Sequence, residues 1–95
     1  MELKLQHPVT VGRREVEALT FRGYTTAGDY LAFDQRGGVS QNIALIASLT
    51  GTDESLIRQL RGPDYLAASR IADKLIAGDS ELAGEPAPEK KPSES

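Results

Sequence analysis

Ile43-Ala44-Leu45-Ile46-Ala47-Ser48-Leu49-Thr50-Gly51 is the stretch on which the fold of this 95-residue chain turns. Five of the six residues from Ile43 to Ser48 are apolar, and no charge falls between Arg36 and Asp53. A surface helix ordinarily carries one apolar stripe with charges opposite it. Here Val39, Ile43, Ile46 and Ala47 form one stripe, and Leu45 and Leu49 carry it further around the cylinder. Such a helix is either the central element of a very small core or a surface for another chain. It is expected to run from about Val39 to Thr50, with Gly51 as its C-terminal stop.

Working outward toward the N-terminus, residues 3–11 alternate. Leu3, Leu5, His7, Val9 and Val11 share one side, and Lys4, Gln6, Pro8 and Thr10 the other. A period of two marks a half-buried strand. Pro8 has no amide to donate, so this strand is expected to lie at an edge or to turn its Pro8 position to solvent. After Gly12-Arg13-Arg14, the run Glu15-Val16-Glu17-Ala18-Leu19-Thr20-Phe21-Arg22 is strand-like again. Its alternation slips between Val16/Ala18 and Leu19/Phe21, the mark of a bulge or a change of face. An antiparallel hairpin follows from this pair, and a lone hairpin is marginal in water. Helices must cover it.

Thr26-Ala27-Gly28-Asp29 has capping-box spacing, with Thr26 as N-cap and Asp29 reaching back. A short helix then carries Tyr30, Leu31 and Phe33 and ends before Gly37-Gly38. Thr52-Asp53-Glu54-Ser55 opens another short helix, with Leu56, Ile57 and Leu60 on its buried side. Gly62-Pro63-Asp64 breaks the chain and starts a last helix. Tyr65, Ala68, Ala72, Leu75 and Ile76 lie near one face of it, and a stop is expected near Gly78. The fold class is therefore α+β: an N-terminal antiparallel hairpin packed on three to four short helices. Residues 1–79 form the domain, and residues 80–95, rich in Pro, Glu, Lys and Ser, form a disordered tail. A coil of that length reaches roughly 20 Å.

Composition excludes several classes of function. Residues 1–79 carry a net charge of −1 and the tail −2, giving −3 in all. A mildly acidic chain with scattered arginines lacks the electrostatic footprint of a nucleic-acid binder. The absence of cysteine removes disulfides, thiolate nucleophiles and cysteine metal sites. Met1-Glu2-Leu3-Lys4 has neither the basic start nor the apolar core of a signal peptide, and no apolar run approaches the ~20 residues that span a bilayer. A soluble, cytoplasmic protein with no membrane partner is expected. Ordering each residue costs ~1.5 kcal/mol, which a small core only just offsets, so self-association as a homo-oligomer or a protein partner is a reasonable expectation.

No catalytic, cofactor or metal site emerges. His7 stands alone, with no second ligand or nucleophile at a readable spacing. Asp29 and Asp34, five residues apart, do not share a helical face, so they are a cap and a solvated acid. Gly37-Gly38 lacks the strand, lysine and hydroxyl of a phosphate loop and reads as a hinge. A helix-turn-helix across Val39–Leu60 offers only Arg58, Gln59 and Arg61 for DNA, against Asp53 and Glu54. Glu54-Ser55-Leu56 resembles the attachment tripeptide of acyl carrier proteins, which are small, acidic and cysteine-poor. A carrier modified at Ser55 is thus the alternative reading. Carriers are all-helical, however, and the hairpin departs from that pattern.

Three blocks in fixed order are more specific: Leu19-Thr20-Phe21-Arg22 followed by Thr26-Ala27-Gly28-Asp29; Leu45-Ile46-Ala47-Ser48-Leu49-Thr50-Gly51; and Asp64-Tyr65-Leu66. Together they resemble the small tail assembly chaperones of contractile-tailed phages and Mu-like prophages, over about residues 3–77. The family pattern has a proline after the arginine, where this chain has Gly23-Tyr24-Thr25. Its Leu-Pro-Pro-type start after Thr-Gly is replaced by Thr52-Asp53-Glu54. The resemblance implies a non-catalytic protein that binds the tape measure protein and keeps it soluble while tail tube protein polymerises around it. It also implies that a frameshifted, extended form recruits the tube protein, with the tail of this chain as linker. An interaction of that kind needs an apolar strip rather than reactive groups. The candidate partner-binding residues are Val39, Ile43, Ile46 and Leu49 in the middle helix, with Tyr65 and Ile76 in the last.

Overall fold

A computed structural model describes residues 1–34 and 37–83, with the side chain of Asp34 outside the description. Two strands and four helices follow in order: β1 (Glu2–Val11), β2 (Arg14–Thr20), α1 (Ala27–Asp34), α2 (Gly38–Thr50), α3 (Glu54–Arg58) and α4 (Gly62–Leu82). The α+β architecture of a hairpin on helices is therefore the fold. Of the disordered tail expected at residues 80–95, residues 80–82 belong to α4, and residues 84–95 lie outside the described residues. The hinge expected at Gly37-Gly38 falls at the start of α2, where Gly37 is the N-cap and Gly38, at φ 62°, the first helical residue.

β1 and β2 form a two-stranded antiparallel sheet that turns at Gly12-Arg13, with Gly12 at φ 62°. Pairing runs Glu2↔Thr20, Leu3↔Leu19 and Lys4↔Ala18, then resumes at Val9↔Val16. The ladder is thus irregular where the alternation slips, but the extra residues belong to β1 rather than to β2. The reason is local chemistry. Pro8 cannot donate to a ladder, and the amides of Gln6 and His7 are taken by the two carboxylate oxygens of Asp64, at 2.9 and 3.0 Å. Asp64, in the first turn of α4, is itself 2% exposed. It clamps the bulge to the helix rather than acting only as a helix-start residue.

α2 is the central element. Ala44, Leu45, Ile46, Ala47 and Leu49 are all buried, and the helix packs against α1, α3 and α4. Of the two possibilities its composition allows, the core wins for most of its length. Each fully buried Leu or Ile contributes about 1.5–3 kcal/mol, so this helix is the largest single source of hydrophobic stabilisation. Leu5, Val9, Leu19 and Phe21 of the hairpin meet it, with Leu56 and Ile57 of α3 and Ala68 and Ala72 of α4. Gly51 ends the helix in the left-handed conformation, φ 65°. Its amide reaches Ser48 at 3.4 Å and the Thr52 amide reaches Ala47 at 3.0 Å, the paired bonds of a Schellman stop.

α4 corrects one expectation. It does not stop near Gly78 but continues to Leu82, so a domain boundary at residue 79 falls inside a helix. Asp79 holds that extra turn in place by accepting hydrogen bonds from the hydroxyls of Thr25 and Tyr30. Tertiary anchoring outweighs the modest helix penalty of a single glycine.

Candidate functional site

The six candidate binding residues divide into two groups. Ile46 and Leu49 are 0% exposed and belong to the core. The assignment of these two to a partner surface is corrected: the hairpin, α3 and α4 close over that side of α2. Ile76 is half-buried and packs on the core, about three turns along α4 from Tyr65. Val39, Ile43 and Tyr65 come together. They line a groove of about 180 Å³ with Ile57, Leu60 and Arg58.

Each wall of the groove has a simple origin. Val39 and Ile43 are four residues apart in the first turns of α2 and share a face. Val39 remains 60% exposed, whereas the helix is buried at Ala44–Ala47 and Leu49. α3 is just five residues long, so Ile57 seals the interior while Leu60, beyond its end, is left half-covered. Pro63 in the first turn of α4 sets the helix start, and the Tyr65 amide bonds the Arg61 carbonyl at 2.8 Å. The Tyr65 hydroxyl accepts from Asn42 at 3.3 Å, which fixes the ring at the groove edge. Among the described residues no acidic side chain lines the groove. Its volume falls below the ~300 Å³ at which small-molecule pockets begin. It suits a protein side chain.

The polar residues of the first two sequence blocks converge elsewhere. Asp29, 1% exposed, accepts from Arg22 Nη2 at 2.6 Å, from the Thr26 amide at 2.7 Å and from the Ser48 hydroxyl. Arg22 also donates to the Ser48 carbonyl at 3.0 Å, and its amide to the Leu49 carbonyl at 3.1 Å. Burial pushes the Asp29 carboxyl upward, but these donors together hold it below 3.8. The hydrogen bond to Asp29 raises Arg22 in turn. Asp79 is held below its ordinary value by the Thr25 and Tyr30 hydroxyls, and Tyr30 is raised by the same carboxylate. Of the expected capping box, the reach of Asp29 back to the Thr26 amide is present, while the Asp29 amide bonds the Thr26 carbonyl at 3.0 Å, and Asp29 has a second task, tying the start of α1 to the end of α2.

A larger depression of about 450 Å³ lies between β2 and the α2–α3 turn, with Ser55 on its border. Ser55 is exposed in the first turn of α3, and its amide donates to Asp53 at 3.3 Å. His7 is exposed on the bulge, and among the described residues no group of three His, Cys, Asp or Glu is placed to hold a metal ion. Among the described residues no helix is long and apolar enough to cross a membrane.

Sequence reasoning placed Ile57 and Leu60 on a buried side without joining them to Val39. The available signal was the brevity of α3, which leaves too little helix to cover both residues. Nothing local announced Asp79 as a tether. Comparison with family models, with curated proteins and with solved structures gives no match.

Proposed function

We propose that this chain is a phage tail assembly chaperone, acting in the cytoplasm of a bacterial host. It holds the tape measure protein in soluble form while tail tube subunits assemble, and it works by binding rather than by catalysis. Two things support the reading. One is the ordered resemblance of the three sequence blocks. The other, which carries it, is the groove at Val39, Ile43 and Tyr65: an apolar hollow sized for side chains and built on the faces of three helices. Grooves of that kind receive the apolar stripe of a partner helix.

The test uses Val39→Glu. Val39 is 60% exposed, so the charge costs little in the free protein but blocks an apolar stripe. Tape measure fragments co-expressed with the native chain are expected to co-purify with it and to be lost with the variant, at unchanged thermal stability. Equal recovery with both proteins would overturn the assignment. Ile46→Asp does not serve as a test, because Ile46 is interior.

A second reading, a carrier modified at Ser55, is favoured by one observation, the exposure of that serine beside the larger depression. Intact mass after co-expression with a phosphopantetheinyl transferase decides it, since an unchanged mass removes the carrier.

A further inference from the structure

β2 leaves one edge of the sheet open. Met1 and Phe21 exchange both backbone hydrogen bonds, the Met1 amino group to the Phe21 carbonyl at 3.0 Å and the Phe21 amide to the Met1 carbonyl at 2.7 Å. An antiparallel ladder alternates such couples with residues whose amides and carbonyls turn away from the partner strand. Glu2↔Thr20 and Lys4↔Ala18 are the alternate pairs, so the backbone groups of Thr20 and Ala18 point away from β1. Arg22, next in that series, donates its amide to the Leu49 carbonyl at 3.1 Å, so this edge faces the end of α2. Among the described residues neither Thr20 nor Ala18 makes a backbone hydrogen bond outside the hairpin. Both line the depression of about 450 Å³, with Thr50, Gly51 and Thr52 across from them. β1 differs, because α4 packs along it and Asp64 takes the amides of Gln6 and His7. An unpaired edge is a template for another strand.

We propose that this edge is taken by the chain's own segment Glu85-Pro86-Ala87-Pro88-Glu89-Lys90-Lys91, added antiparallel to β2 as a third strand. Three observations select that occupant over a second copy or another protein. The first is proline spacing: Pro86, Pro88 and Pro92 all fall on even-numbered residues. Successive amides of an extended strand point to opposite edges, so one edge is depleted of donors while Glu85, Ala87, Glu89 and Lys91 keep theirs on the other. Such a segment pairs on one side and ends the sheet. The second is place. Asp79 accepts from the Thr25 hydroxyl, which holds the end of α4 beside the residues that leave β2. Thr25 is five residues past Thr20, and the chain bends at Gly23-Tyr24. The six residues from Ala83 to Glu89 span up to about 20 Å. The third is charge. Glu15 and Glu17 are exposed and enter no ion pair among the described residues. With Glu89 opposite Thr20 and Lys91 opposite Ala18, Lys90 lies diagonal to Glu17, a separation that long side chains bridge. Docked there, the segment denies the edge to other chains. The inference does not depend on the tail assembly reading.

The experiment is amide hydrogen exchange of the full chain, read residue by residue by NMR, in the native protein and three variants. Glu89→Pro removes a donor from the pairing edge, and Glu89→Ala removes the same carboxylate but keeps the donor. Pro88→Ala adds a donor only to the outward edge. The Ala18 and Thr20 amides are expected to exchange about fivefold to tenfold faster in Glu89→Pro than in the native chain, as the loss of one or two hydrogen bonds implies. Glu89→Ala and Pro88→Ala are expected to stay close to the native rate. The amides of Leu45 and Ile46 in the core are expected to keep their protection in every variant, which separates loss of docking from loss of the fold. Equal exchange of Ala18 and Thr20 in the native and Glu89→Pro proteins overturns the inference. Protection of those two amides that rises with protein concentration assigns the edge to a second copy and overturns it as well.

Discussion

Asp29 carries more of this fold than any other single polar side chain. Its two oxygens serve Arg22, Thr26 and Ser48, which belong to the end of the hairpin, the start of α1 and the end of α2. Removing a buried acceptor leaves its donors unsatisfied. Asp29→Ala is therefore expected to destabilise the protein by about 2–3 kcal/mol, measurable by urea unfolding. Asp29 and Asp79 also set a pH dependence. Both have folded-state values depressed below 3.8. Their contribution is complete above the unfolded-state value and is lost as pH falls through the lowered folded-state values. The thermal midpoint is expected to fall on acidification below about pH 4. Asp29→Asn, which has no charge to lose, should show a shallower fall across the same window.

At the scale of the element, α2 and α4 illustrate opposite uses of glycine. Gly51 adopts φ 65°, and a Cβ there meets no neighbour, so the obstacle to substitution is backbone strain alone. Gly51→Ala is expected to cost about 1–2 kcal/mol. Gly78 is different, because it sits within regular helix and a Cβ at that position also meets nothing within 4 Å. Gly78→Ala is expected to raise stability by about 0.5–1 kcal/mol, through helix propensity and a less flexible unfolded chain. Both differences are read from denaturant midpoints. A destabilised Gly78→Ala protein would mean that the final turns of α4 are not helical in solution.

At the scale of the molecule, the question is how much of α2 the fold can absorb. From Ala44 to Leu49 the helix is enclosed, apart from the half-buried Ser48. Its first turn is not. Val39→Glu is expected to change stability by less than about 0.5 kcal/mol, as surface substitutions do. Ile46→Asp, which places a charge in the centre of the core, is expected to abolish cooperative folding, as circular dichroism and thermal melts report. That contrast separates binding surface from interior along one helix. Without it, loss of a partner could be mistaken for loss of the fold.

Local pattern made the hairpin, the capping box, the Schellman stop and the apolar middle helix legible, because each is decided within a few residues by backbone preference or side-chain period. The bulge was legible as a slip in alternation but not as to which strand holds it. That depends on Asp64, nearly sixty residues further along the chain. The end of α4 was misplaced because a hydroxyl pair on and beside α1 supports it. The binding face was legible only in part. Val39, Ile43, Ile46 and Leu49 are equivalent as a stripe, and sequence has no access to exposure.

Composition and periodicity by themselves determined that this chain makes an α+β hairpin on helices around one greasy helix, since those signals are short-ranged. Which end of that helix faces solvent, and which carboxylates are buried as clamps, was decided only by tertiary packing. The physical reason is that exposure depends on which distant elements pack over each turn: α2 is buried at Ala44–Ala47 and Leu49, while Val39 in its first turn stays at the surface.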